Sequence, residues 1–581
     1  MSGTKWIVEG TVDPRWPINT RGNIGEVFPE VLTLLSYEYG VIGAERAWRD
    51  AYRDLGILSD GDFTTDDPVI IGLYGGYCYL NLSYLRMMGV RAPGSSAEAI
   101  DVAFFGEGEP PPYEPRDGDK NIRSSLRILR TVLKALAVDE LPEVVADSFR
   151  RVASNEARRP ALDAPDEELL DFLDTMPEQF SPVFGNHMKS TAVAAIVSGI
   201  LADASAAAGE PGLVTHLIGA SGDVRSARYA QELYELAGLV RSSPELMALF
   251  DQGAEGLLDR IRATDADPGR RLLAAFDDFI DEHGHRGPND WELSGRTWGN
   301  TPELALAAVD SMRRSEHDLA PASRLADDDA KRAAAIARVR PHLNFLDKQN
   351  FDKAIKAVPF WSQAREATRD RAVRLTWPYK QVYRELVRRA AERGGDPSPV
   401  RVALLSPVTE LRPYLADPTS MGDVLAERGA LFQRYSAVEP RFFITAQGDV
   451  PTIEELEAEQ AEPPAMVTEG EVLTGNAGCS GTAVGRARVV LDPADGASLE
   501  PGEILVAPLT DPAWTPLFLP AAAVVVNVGA LMSHAVIVAR ELGIPCVVAV
   551  DGATERIETG TWLEVDGTEG TVTVLTGEPT A

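Results

Sequence analysis

Cysteine is scarce in this chain. Its 581 residues include only three cysteines, Cys78, Cys479 and Cys546. The count is odd and the spacings match no metal-binding pattern, so we expect neither a disulfide scaffold nor a cysteine-based metal site. Such low cysteine usage fits a reducing cytoplasm. Residues 1–6 also lack the apolar core of a signal peptide, which again favours a cytoplasmic protein.

Basic charge is in short supply as well. The chain has 56 lysine and arginine residues against 88 aspartate and glutamate residues, a formal net charge of −32. No basic stripe is evident, which argues against nucleic acid as a partner. The region that reads as most apolar, 521–550, is interrupted by Asn527, His534, Arg540 and Glu541. We therefore expect no membrane partner.

A phosphate-binding loop is also missing from the sequence. No G-x-x-x-x-G-K-[ST] pattern occurs, so a P-loop nucleotide site is not expected. The glycine pair in residues 74–77 lies in apolar surroundings, which favours helix packing over phosphate binding. A chain of this length nevertheless has room for two to four domains.

One histidine lies where a buried strand is predicted to turn into a helix. Residues 522–526 form a β-branched run typical of a strand buried on both faces. Ser533 can cap the following helix, and His534 then occupies its first position. Gly543 predicts the end of the helix, and residues 546–550 are the next strand.

This position suits covalent chemistry at His534. The imidazole would lie beside unpaired backbone N–H groups and the positive end of the helix dipole, which stabilise an attached anion. One neutral ring nitrogen is nucleophilic near neutral pH. The plainer alternative is a histidine that only packs or caps. The strand, the glycine turn, the Ser-His pair and the capped helix agree with one another, which favours the reactive histidine.

Three stretches of the C-terminal part carry a family resemblance. They are the glycine-rich segment 478–487, the loop 510–517 and the Ser-His helix, and together they resemble the swivelling phosphohistidine domain of the phosphoenolpyruvate-utilising enzyme family. The resemblance implies that His534 is the phosphate carrier, with Ser533 beside it. Residues 529–532 depart from the two glycines and threonine of many members, so we expect a somewhat different active-site loop.

The same region supplies candidates for holding the phosphoryl group. Thr510 and Gly529 belong to the loops that precede the Ser-His helix, and Arg540 projects from that helix. For Arg540, a solvated surface charge is the alternative interpretation. A phosphoryl group brings about 1.5 to 2 negative charges, so its transfer depends on positioning and cationic stabilisation.

Most of the remaining chain is predicted to be helical. Residues 270–282 carry apolar side chains at helical spacing and stop at Gly284. Similar periodicity marks residues 126–136, 227–239, 302–312, 330–339 and 382–391. The fold class is therefore multidomain, with a large all-α domain followed by a small α/β (β/β/α) domain.

We predict three segments. Residues 1–445 form the helical domain that binds the acceptor, with possible lobes separated near 160–165 and 211. Residues 446–471 form an acidic, proline-containing linker with a short helix. Residues 472–581 form the swivelling phosphohistidine domain.

The helical domain has weaker family features that suggest an acceptor site. Segment 282–293 resembles a Gly-His-Arg turn of proteins similar to rifampin phosphotransferase. We expect His285 and Arg286 in an exposed turn, where the imidazole takes the acceptor proton and the guanidinium grips phosphate. Asp290 and Glu292 could orient the histidine or bind a cation. A polar helix–helix turn is an equal alternative.

Other residues are weaker candidates for contacts with the acceptor. Segment 20–29 resembles the opening of the acceptor-binding domain, which suggests roles for Arg21 and Glu26, although capping and ion pairing are equally compatible. Trp291 is a further substrate-binding candidate. His283 is expected to face solvent at its helix end. The remaining histidines are expected to be structural: His187, His216, His317 and His342.

The resemblance also implies a missing donor. Relatives similar to rifampin phosphotransferase have an ATP-grasp domain before the helical domain, and this sequence begins almost where that domain would end. We therefore expect a separate ATP-grasp protein to supply the phosphoryl group from ATP with Mg²⁺. We expect no firmly bound cofactor or metal in this chain, and a small-molecule hydroxyl as the acceptor.

Two other functions remain open. A non-phosphotransferring descendant could bind a small molecule, or perform lyase- or isomerase-type acid/base chemistry with His534 at the domain interface. A regulatory or scaffold subunit is the third possibility.

Overall fold

The chain folds into a large helical region followed by a smaller α/β region. The computed structural model describes residues 10–577 except 66, 94, 106–109, 219–224, 254–255, 265, 315–320, 461–463, 494–498, 511–513 and 530–532.

Helices make up most of the first 440 described positions. The α-helices are Ile24–Val27, Leu34–Ser36, Ile42–Asp54, Leu82–Arg91, Ala97–Phe105, Ile122–Ala135, Glu143–Arg158, Asp166–Asp174, Met176–Ala207, Val214–Ile218, Arg225–Arg241, Pro244–Phe250, Leu257–Arg262, Asp267–His283, Glu303–Arg314, Pro321–Val339, Phe345–Glu392, Pro399–Val402, Leu411–Ala416, Gly422–Ser436, Ile453–Glu459, Thr515–Phe518, His534–Leu542 and Ala553–Arg556. Shorter turns of 3₁₀ or π helix cover Tyr37–Val41, Pro211–Leu213, Arg340–His342 and Gln447–Asp449.

Strands form two separate sheets. In chain order they are β1 Asn19–Thr20, β2 Ile71–Tyr74, β3 Tyr77–Asn81, β4 Phe443–Ile444, β5 Val472–Thr474, β6 Asn476–Cys479, β7 Thr482–Val489, β8 Ile504–Ala507, β9 Ala523–Val526, β10 Cys546–Val548, β11 Trp562–Asp566 and β12 Thr571–Val574.

The predicted all-α character of the first region is wrong in one respect. Strands β1 to β4 form a small sheet in the order β2-β3-β1-β4. Residues 74–77, for which we expected helix packing, instead turn the β2–β3 hairpin. Gly75 and Gly76 have φ values of 56° and 78°, which a two-residue hairpin turn of this kind requires and which glycine adopts without strain. The strands are short and distant in sequence, so periodicity did not reveal them.

Two long helices form the centre of the helical region. Phe345–Glu392 packs along Met176–Ala207, and Phe351, Val358 and Val197 belong to one buried cluster between them. By length and composition alone the stretch Asp166–Ala207 could cross a membrane, and 44% of its most apolar window is buried in the protein. Among the described residues, this stretch is the one helical segment with that length and composition. Packing against its neighbours accounts for the apolar residues on its buried side.

The helices between Arg225 and Arg314 enclose a core of their own. Its buried members include Leu236, Phe276 and Val309. Leu519 of the α/β region is 7% exposed and belongs to this same core. The two regions are therefore joined by apolar packing.

The α/β region is built on an eight-stranded sheet in the order β5-β12-β11-β7-β8-β9-β10-β6. Strands β7, β8, β9 and β10 are parallel neighbours, and the others pair antiparallel. The His534–Leu542 helix connects β9 to β10. Parallel strands require such a crossover, and ligands commonly bind where the strands give way to the following helices.

The segment predicted as a solvated linker is partly packed on the helical region. Helix Ile453–Glu459 starts at Thr452, whose side chain forms a capping box with Glu455. Ile453 and Leu456 are buried in a cluster that includes Tyr77. The expectation of a fully solvated stretch is therefore wrong for this helix, because its two apolar residues cover the edge of the small sheet.

Candidate active site at the domain interface

The Ser-His helix has the predicted local structure. The hydroxyl of Ser533 accepts a 3.3 Å hydrogen bond from the backbone N–H of Val536, as an N-cap does. His534 is the first helical residue. Gly543 ends the helix with a φ of 66°, the left-handed conformation of a glycine cap. The strand-to-helix turn predicted from the sequence is confirmed.

Two threonine hydroxyls lie against the two ring nitrogens of His534. Thr510 Oγ1 is 3.3 Å from Nδ1, and Thr515 Oγ1 is 3.2 Å from Nε2. Phe518 meets the imidazole edge-on with 6.1 Å between ring centroids. A hydroxyl can donate to one nitrogen and accept from the other, so the ring is oriented in either neutral tautomer.

Burial and two nearby arginines keep His534 uncharged. Its pKa is lowered to about 3, first because burial disfavours the charged ring and then because the positive charges of Arg369 and Arg286 oppose protonation. A neutral imidazole has a free lone pair, which is the form required of a nucleophile. Both arginines belong to the helical region, so this site is formed between the two regions of the chain.

Glu26 makes a direct contact with the start of the Ser-His helix. Its Oε2 accepts a 3.2 Å hydrogen bond from the backbone N–H of His534. A carboxylate at this end of a helix interacts favourably with the unpaired N–H groups and the helix dipole. Glu26 therefore bridges the helical region and the helix that carries His534.

Arg21 supports the segment that presents Glu26. Its guanidinium donates to the backbone carbonyls of Cys78, Phe28 and Pro29 at 2.6, 3.0 and 3.2 Å. The side chain is 6% exposed and touches no part of the cavity described below. The structure thus places Arg21 in a supporting position behind Glu26.

A small polar cavity of about 20 Å³ lies on the helical side of the interface. Its lining residues are charged or polar and come from three helices and one turn: Arg228, Tyr229, Glu282, His283, Arg286, Glu366, Arg369 and Asp370. The hydroxyl of Tyr229 is 3.3 Å from Thr515 Oγ1, the same oxygen that contacts His534. The cavity is therefore separated from the His534 ring by this hydroxyl pair.

The turn that follows helix Asp267–His283 is buried, so the expectation of an exposed turn is wrong. His285 and Arg286 are 2% and 4% exposed. The backbone N–H of Trp298 donates to the carbonyl of Arg286 at 2.7 Å, and Gly299 donates to Gly284 at 2.9 Å. This second backbone segment covers the turn, which local sequence could not reveal.

The two histidines of the turn have exchanged their expected positions. His283, expected to face solvent, is 7% exposed and lines the cavity, with Nε2 2.9 Å from Glu232 Oε2. His285 lies behind the cavity wall, with Nε2 3.0 Å from Asp370 Oδ1. Burial lowers the pKa of both imidazoles, and the paired carboxylate opposes that shift in each case.

Asp370 is the carboxylate that His285 holds. Burial acts to raise the pKa of Asp370, but the charge and hydrogen bond of His285, together with the charges of Arg371 and Arg286, leave it well below its ordinary value. Asp370 is therefore ionised at neutral pH. Asp290 and Glu292, which we expected to orient the histidine, do not contact the His285 ring.

Two arginines share one carboxylate opposite His534. Arg286 Nη2 is 3.1 Å from Asp290 Oδ2, and Arg369 Nη2 is 3.8 Å from the same oxygen. Asp290 Oδ1 also accepts the backbone N–H of Gly287 at 2.9 Å. Asp370 and Glu366 also act on this pair, so the two arginines are balanced by several carboxylates while their guanidinium groups remain placed to meet an anion on His534.

Glu292 is a structural residue in this fold. Its Oε1 accepts hydrogen bonds at 2.8 Å from the hydroxyls of Thr33, Ser36 and Ser294. This network ties the turn to the start of the chain and leaves Glu292 away from the cavity. Trp291 also lies elsewhere, where its ring meets Phe184 edge-on with 5.9 Å between centroids.

The remaining candidates for stabilising the phosphoryl group are Thr510, Arg540 and Gly529, and only the first of them contacts the His534 ring. Thr510 contacts His534, as described above. Arg540 Nε donates to the carbonyl of Gly478 at 2.9 Å, which directs the guanidinium away from the ring. Gly529 lies close to Val548, where a Cβ would come within 2.8 Å, so its small size serves packing. The departure expected at residues 530–532 falls outside the described residues.

Several site residues were missed by the sequence analysis. Arg369 and Asp370 lie in the middle of the long helix Phe345–Glu392, one turn beyond Arg365. Charged residues at a spacing of four on an otherwise core-forming helix were the available signal. Tyr229 and Thr515 gave no comparable signal, because a long-range contact brings them together.

No metal cluster is found among the described residues. Within those ranges, no three histidine, cysteine, aspartate or glutamate side chains come together in a way that could hold a metal ion.

Two segments of the chain match known protein families. Residues 179–369 match the rifampicin phosphotransferase fourth domain, and residues 499–570 match the PEP-utilising enzyme mobile domain. The first range ends at Arg369 and includes the turn with His283 and Arg286. The second includes the whole Ser-His helix. The two matches therefore cover both sides of the site.

Curated relatives agree with these matches. The prodigiosin synthesizing transferase PigC of Serratia marcescens is 28% identical over 99% of this chain and 64% of its own length. The rifampicin phosphotransferase of a Streptomyces species is 31% identical over 59% of this chain and 39% of its own length. That of Streptomyces sviceus is 29% identical over 75% and 50%. The chain thus spans less than two thirds of each of these relatives.

Proposed function

This chain belongs to the phosphoenolpyruvate-utilising enzyme family, and we propose that it is a phosphotransferase component that carries a phosphoryl group on His534. The group passes to a hydroxyl of a small molecule, and only that hydroxyl has to enter the polar cavity. One observation carries the proposal: neutral His534 lies at the domain interface, under the charges of Arg286 and Arg369. A site that opposes a protonated imidazole but favours an anion suits a phosphorylated one.

The phosphoryl donor lies outside these residues in our proposal. An ATP-grasp protein, separate from this chain, phosphorylates His534 from ATP with Mg²⁺. We assign ATP and Mg²⁺ to that partner. In this proposal the α/β region moves between the active site of the ATP-grasp protein and the cavity of the helical region. Its attachment through the stretch after Glu459 is compatible with such movement.

Transfer to the acceptor requires few covalent changes. The bond between phosphorus and the His534 ring nitrogen breaks, and a bond forms between phosphorus and the acceptor oxygen. The ring nitrogen that is not bonded to phosphorus keeps its N–H throughout, so the imidazole leaves as a neutral ring. Arg286 and Arg369 balance the charge on the moving phosphoryl oxygens, which is the main contribution a protein makes to this reaction.

His283 is our candidate for the group that takes the acceptor proton. It lines the cavity, and Glu232 accepts a hydrogen bond from its Nε2–H, which leaves Nδ1 free to accept a proton. The lowered pKa keeps the ring neutral before the reaction. His285, our candidate from the sequence, instead holds Asp370 in the cavity wall and acts as a positioning residue.

Labelling with radioactive ATP tests the proposal. The full chain is incubated with candidate ATP-grasp proteins and γ-labelled ATP, and acid-labile, base-stable label is measured. We expect label on the wild-type chain and none on His534→Asn. If no partner labels the wild-type chain above the variant, while turnover of a small molecule persists, the carrier role of His534 is wrong.

The proton acceptor is tested at the discharge step. His283→Asn should acquire label normally and lose it to the acceptor about 10²- to 10⁴-fold more slowly, the usual effect of removing a general base. His285→Asn should have a smaller effect, because it acts through Asp370. His216→Asn, on an exposed helix position, is the matched control. Equal discharge by His283→Asn and wild type would remove His283 from the mechanism.

Acid/base chemistry without phosphoryl transfer is the second candidate. It is supported by the two histidine–carboxylate pairs at 2.9 and 3.0 Å beside the cavity, which could move protons without any phosphate. In that case a substrate is turned over in the absence of ATP. Adding ATP then changes neither the turnover by the wild-type chain nor the turnover by His534→Asn.

A further inference from the structure

Helix Ile122–Ala135 has an apolar stripe on its exposed side. Ile122, Leu126, Leu129 and Leu133 are 80%, 63%, 43% and 56% exposed. Their spacing of four, three and four residues puts them in one line along the helix. The opposite face of the same helix is buried through Ser124, Ile128 and Ala135. The helix is thus apolar both toward the core and toward solvent.

A basic stripe runs directly beside the apolar one. Arg123, Arg127, Arg130 and Lys134 are exposed and repeat with the same spacing, one residue further along the helix. Within the described part of the chain, none of the four is in an ion pair with a carboxylate. This gathering of positive charge is unexpected in a chain with a net charge of −32, and the sequence analysis overlooked it.

We propose that these two stripes form a docking surface for an acidic amphipathic helix of a partner protein. Leucine-type side chains of that helix pack on Ile122, Leu126, Leu129 and Leu133, and its flanking glutamates or aspartates pair with the basic stripe. This inference is independent of the phosphotransferase role.

Charge is what selects this occupant over the alternatives. A second copy of the chain would bring its own basic stripe against this one, and both molecules carry a large negative net charge, so self-association is opposed twice. An anionic membrane would attract the stripe but repel the rest of the molecule. An acidic helix meets the basic stripe with the correct sign.

The surface is suited to a transient complex. A single helix face is smaller than the ~800 Å² per partner of a standard stable interface. Its affinity therefore depends strongly on the charge pairs and on salt.

Two synthetic peptides serve as probes. Both are helical with leucine at heptad a and d positions. One has glutamate at the flanking e and g positions, and the other has lysine there. Binding of each peptide to the full chain is measured by fluorescence anisotropy.

The acidic peptide should bind the wild-type chain and the basic peptide should not. In Leu126→Glu/Leu133→Glu the affinity for the acidic peptide should fall by about tenfold or more. Leu491→Glu, at a 66% exposed leucine of the α/β region, should leave that affinity unchanged.

A charge-reversal variant distinguishes the loss of a specific contact from the loss of folding. Arg127→Glu/Arg130→Glu should lose the acidic peptide and gain the basic one, which an unfolded chain would not do. Two parallel measurements cover the other occupants: flotation with vesicles of phosphatidylcholine and phosphatidylglycerol, and sedimentation of the chain alone. Vesicle binding or dimerisation that is lost in Leu126→Glu/Leu133→Glu overturns the proposal. The proposal is also overturned if the acidic peptide binds both double variants as tightly as it binds the wild-type chain.

Discussion

At the residue scale, the surroundings of His534 include side chains from the other region of the chain. Its own region supplies two threonine hydroxyls, and the helical region supplies Arg286 and Arg369. The imidazole is a nucleophile by its own chemistry, and burial together with the charges of the two arginines keeps it neutral. We therefore expect a substitution of His534 and a substitution of one of these arginines to affect different steps of the proposed reaction.

Arg369 should matter for discharge and not for loading. Arg369→Met removes one of the two positive charges that share Asp290, so phosphoryl transfer to the acceptor should slow by about 10²- to 10³-fold, the loss typical of one charge-stabilising donor. Labelling of His534 by its donor should be normal. Single-turnover loss of label measures the effect.

Arg388 provides the comparison on the same helix. It is an exposed residue paired with Glu385, far along the helix from the cavity. Arg388→Met should discharge at the wild-type rate. If Arg369→Met does the same, the arginine pair does not act on the phosphoryl group.

The residue scale is also where prediction from the sequence reached furthest. Ser533, His534 and Gly543 each have a local signature, because N-caps and glycine caps are short-range features, and the structure has all three. The burial of His285 and the place of His283 in the cavity wall could not be predicted. Both depend on the backbone around Trp298, which pairs with the turn from outside the local sequence.

At the scale of elements, a carboxylate of the helical region contacts the first residue of the Ser-His helix. Glu26 accepts the backbone N–H of His534, a position that the oxygens of a phosphoryl group would also favour. In the proposed mechanism this carboxylate stabilises docking of the unphosphorylated carrier. Once the carrier is phosphorylated, Glu26 works against the attraction of Arg286 and Arg369, because two anions would share one helix end.

Glu26→Gln tests this contact. The amide keeps the hydrogen bond but removes the negative charge, so docking of the unphosphorylated carrier should weaken by about 0.3–1 kcal/mol, the usual value of a charge at a helix end. Docking of the phosphorylated carrier should become stronger. Spin labels placed at exposed positions of the two regions report the docked fraction by their distance distribution. Glu30→Gln, nearby but bonded to Asn289, serves as the control.

Elements also show where periodicity was a sufficient guide and where it was not. The predicted helices at 270–282, 227–239 and 302–312 are present, because one apolar face over three or more turns gives a strong signal. The small sheet was missed. Strand β1 has two residues, and its partners lie about sixty and four hundred positions away in sequence, so no window could contain the pairing.

At the scale of the whole molecule, docking of the α/β region should depend on pH. The pKa of His534 is about 3 in the docked arrangement, against an ordinary value of 6.5. Between these values the undocked carrier binds the proton and the docked carrier does not. Docking is therefore favoured above about pH 6.5 and weakens as the pH falls below it, by up to about 1.4 kcal/mol per pH unit.

The docked fraction measured from pH 8 to pH 5 checks this expectation. The wild-type chain should lose the docked population on the acid side of pH 6.5. His534→Asn, which cannot titrate, should show a flatter profile. A wild-type profile that matches the variant would mean that the ring is not desolvated on docking.

The layout of the whole molecule was predicted in outline. A helical region followed by a smaller α/β region is present, and both family matches fall within them. The apolar contact of Leu519 with the core of the helical region was not predictable, because a single buried leucine at the end of a short helix gives no indication of which domain it contacts.

The central claim is that phosphate moves from His534 into this cavity, and phosphorus NMR follows it directly. The chain is phosphorylated with phosphoramidate, a chemical donor that modifies histidine rings, and the His534→Asn spectrum identifies the signal of His534. The small-molecule fraction of a cell extract is then added. We expect the phosphohistidine signal to decay while a phosphate-ester signal grows by the same amount, with slow decay in His283→Asn and Arg369→Met. Decay to inorganic phosphate alone, at one rate in all three chains, would contradict the account.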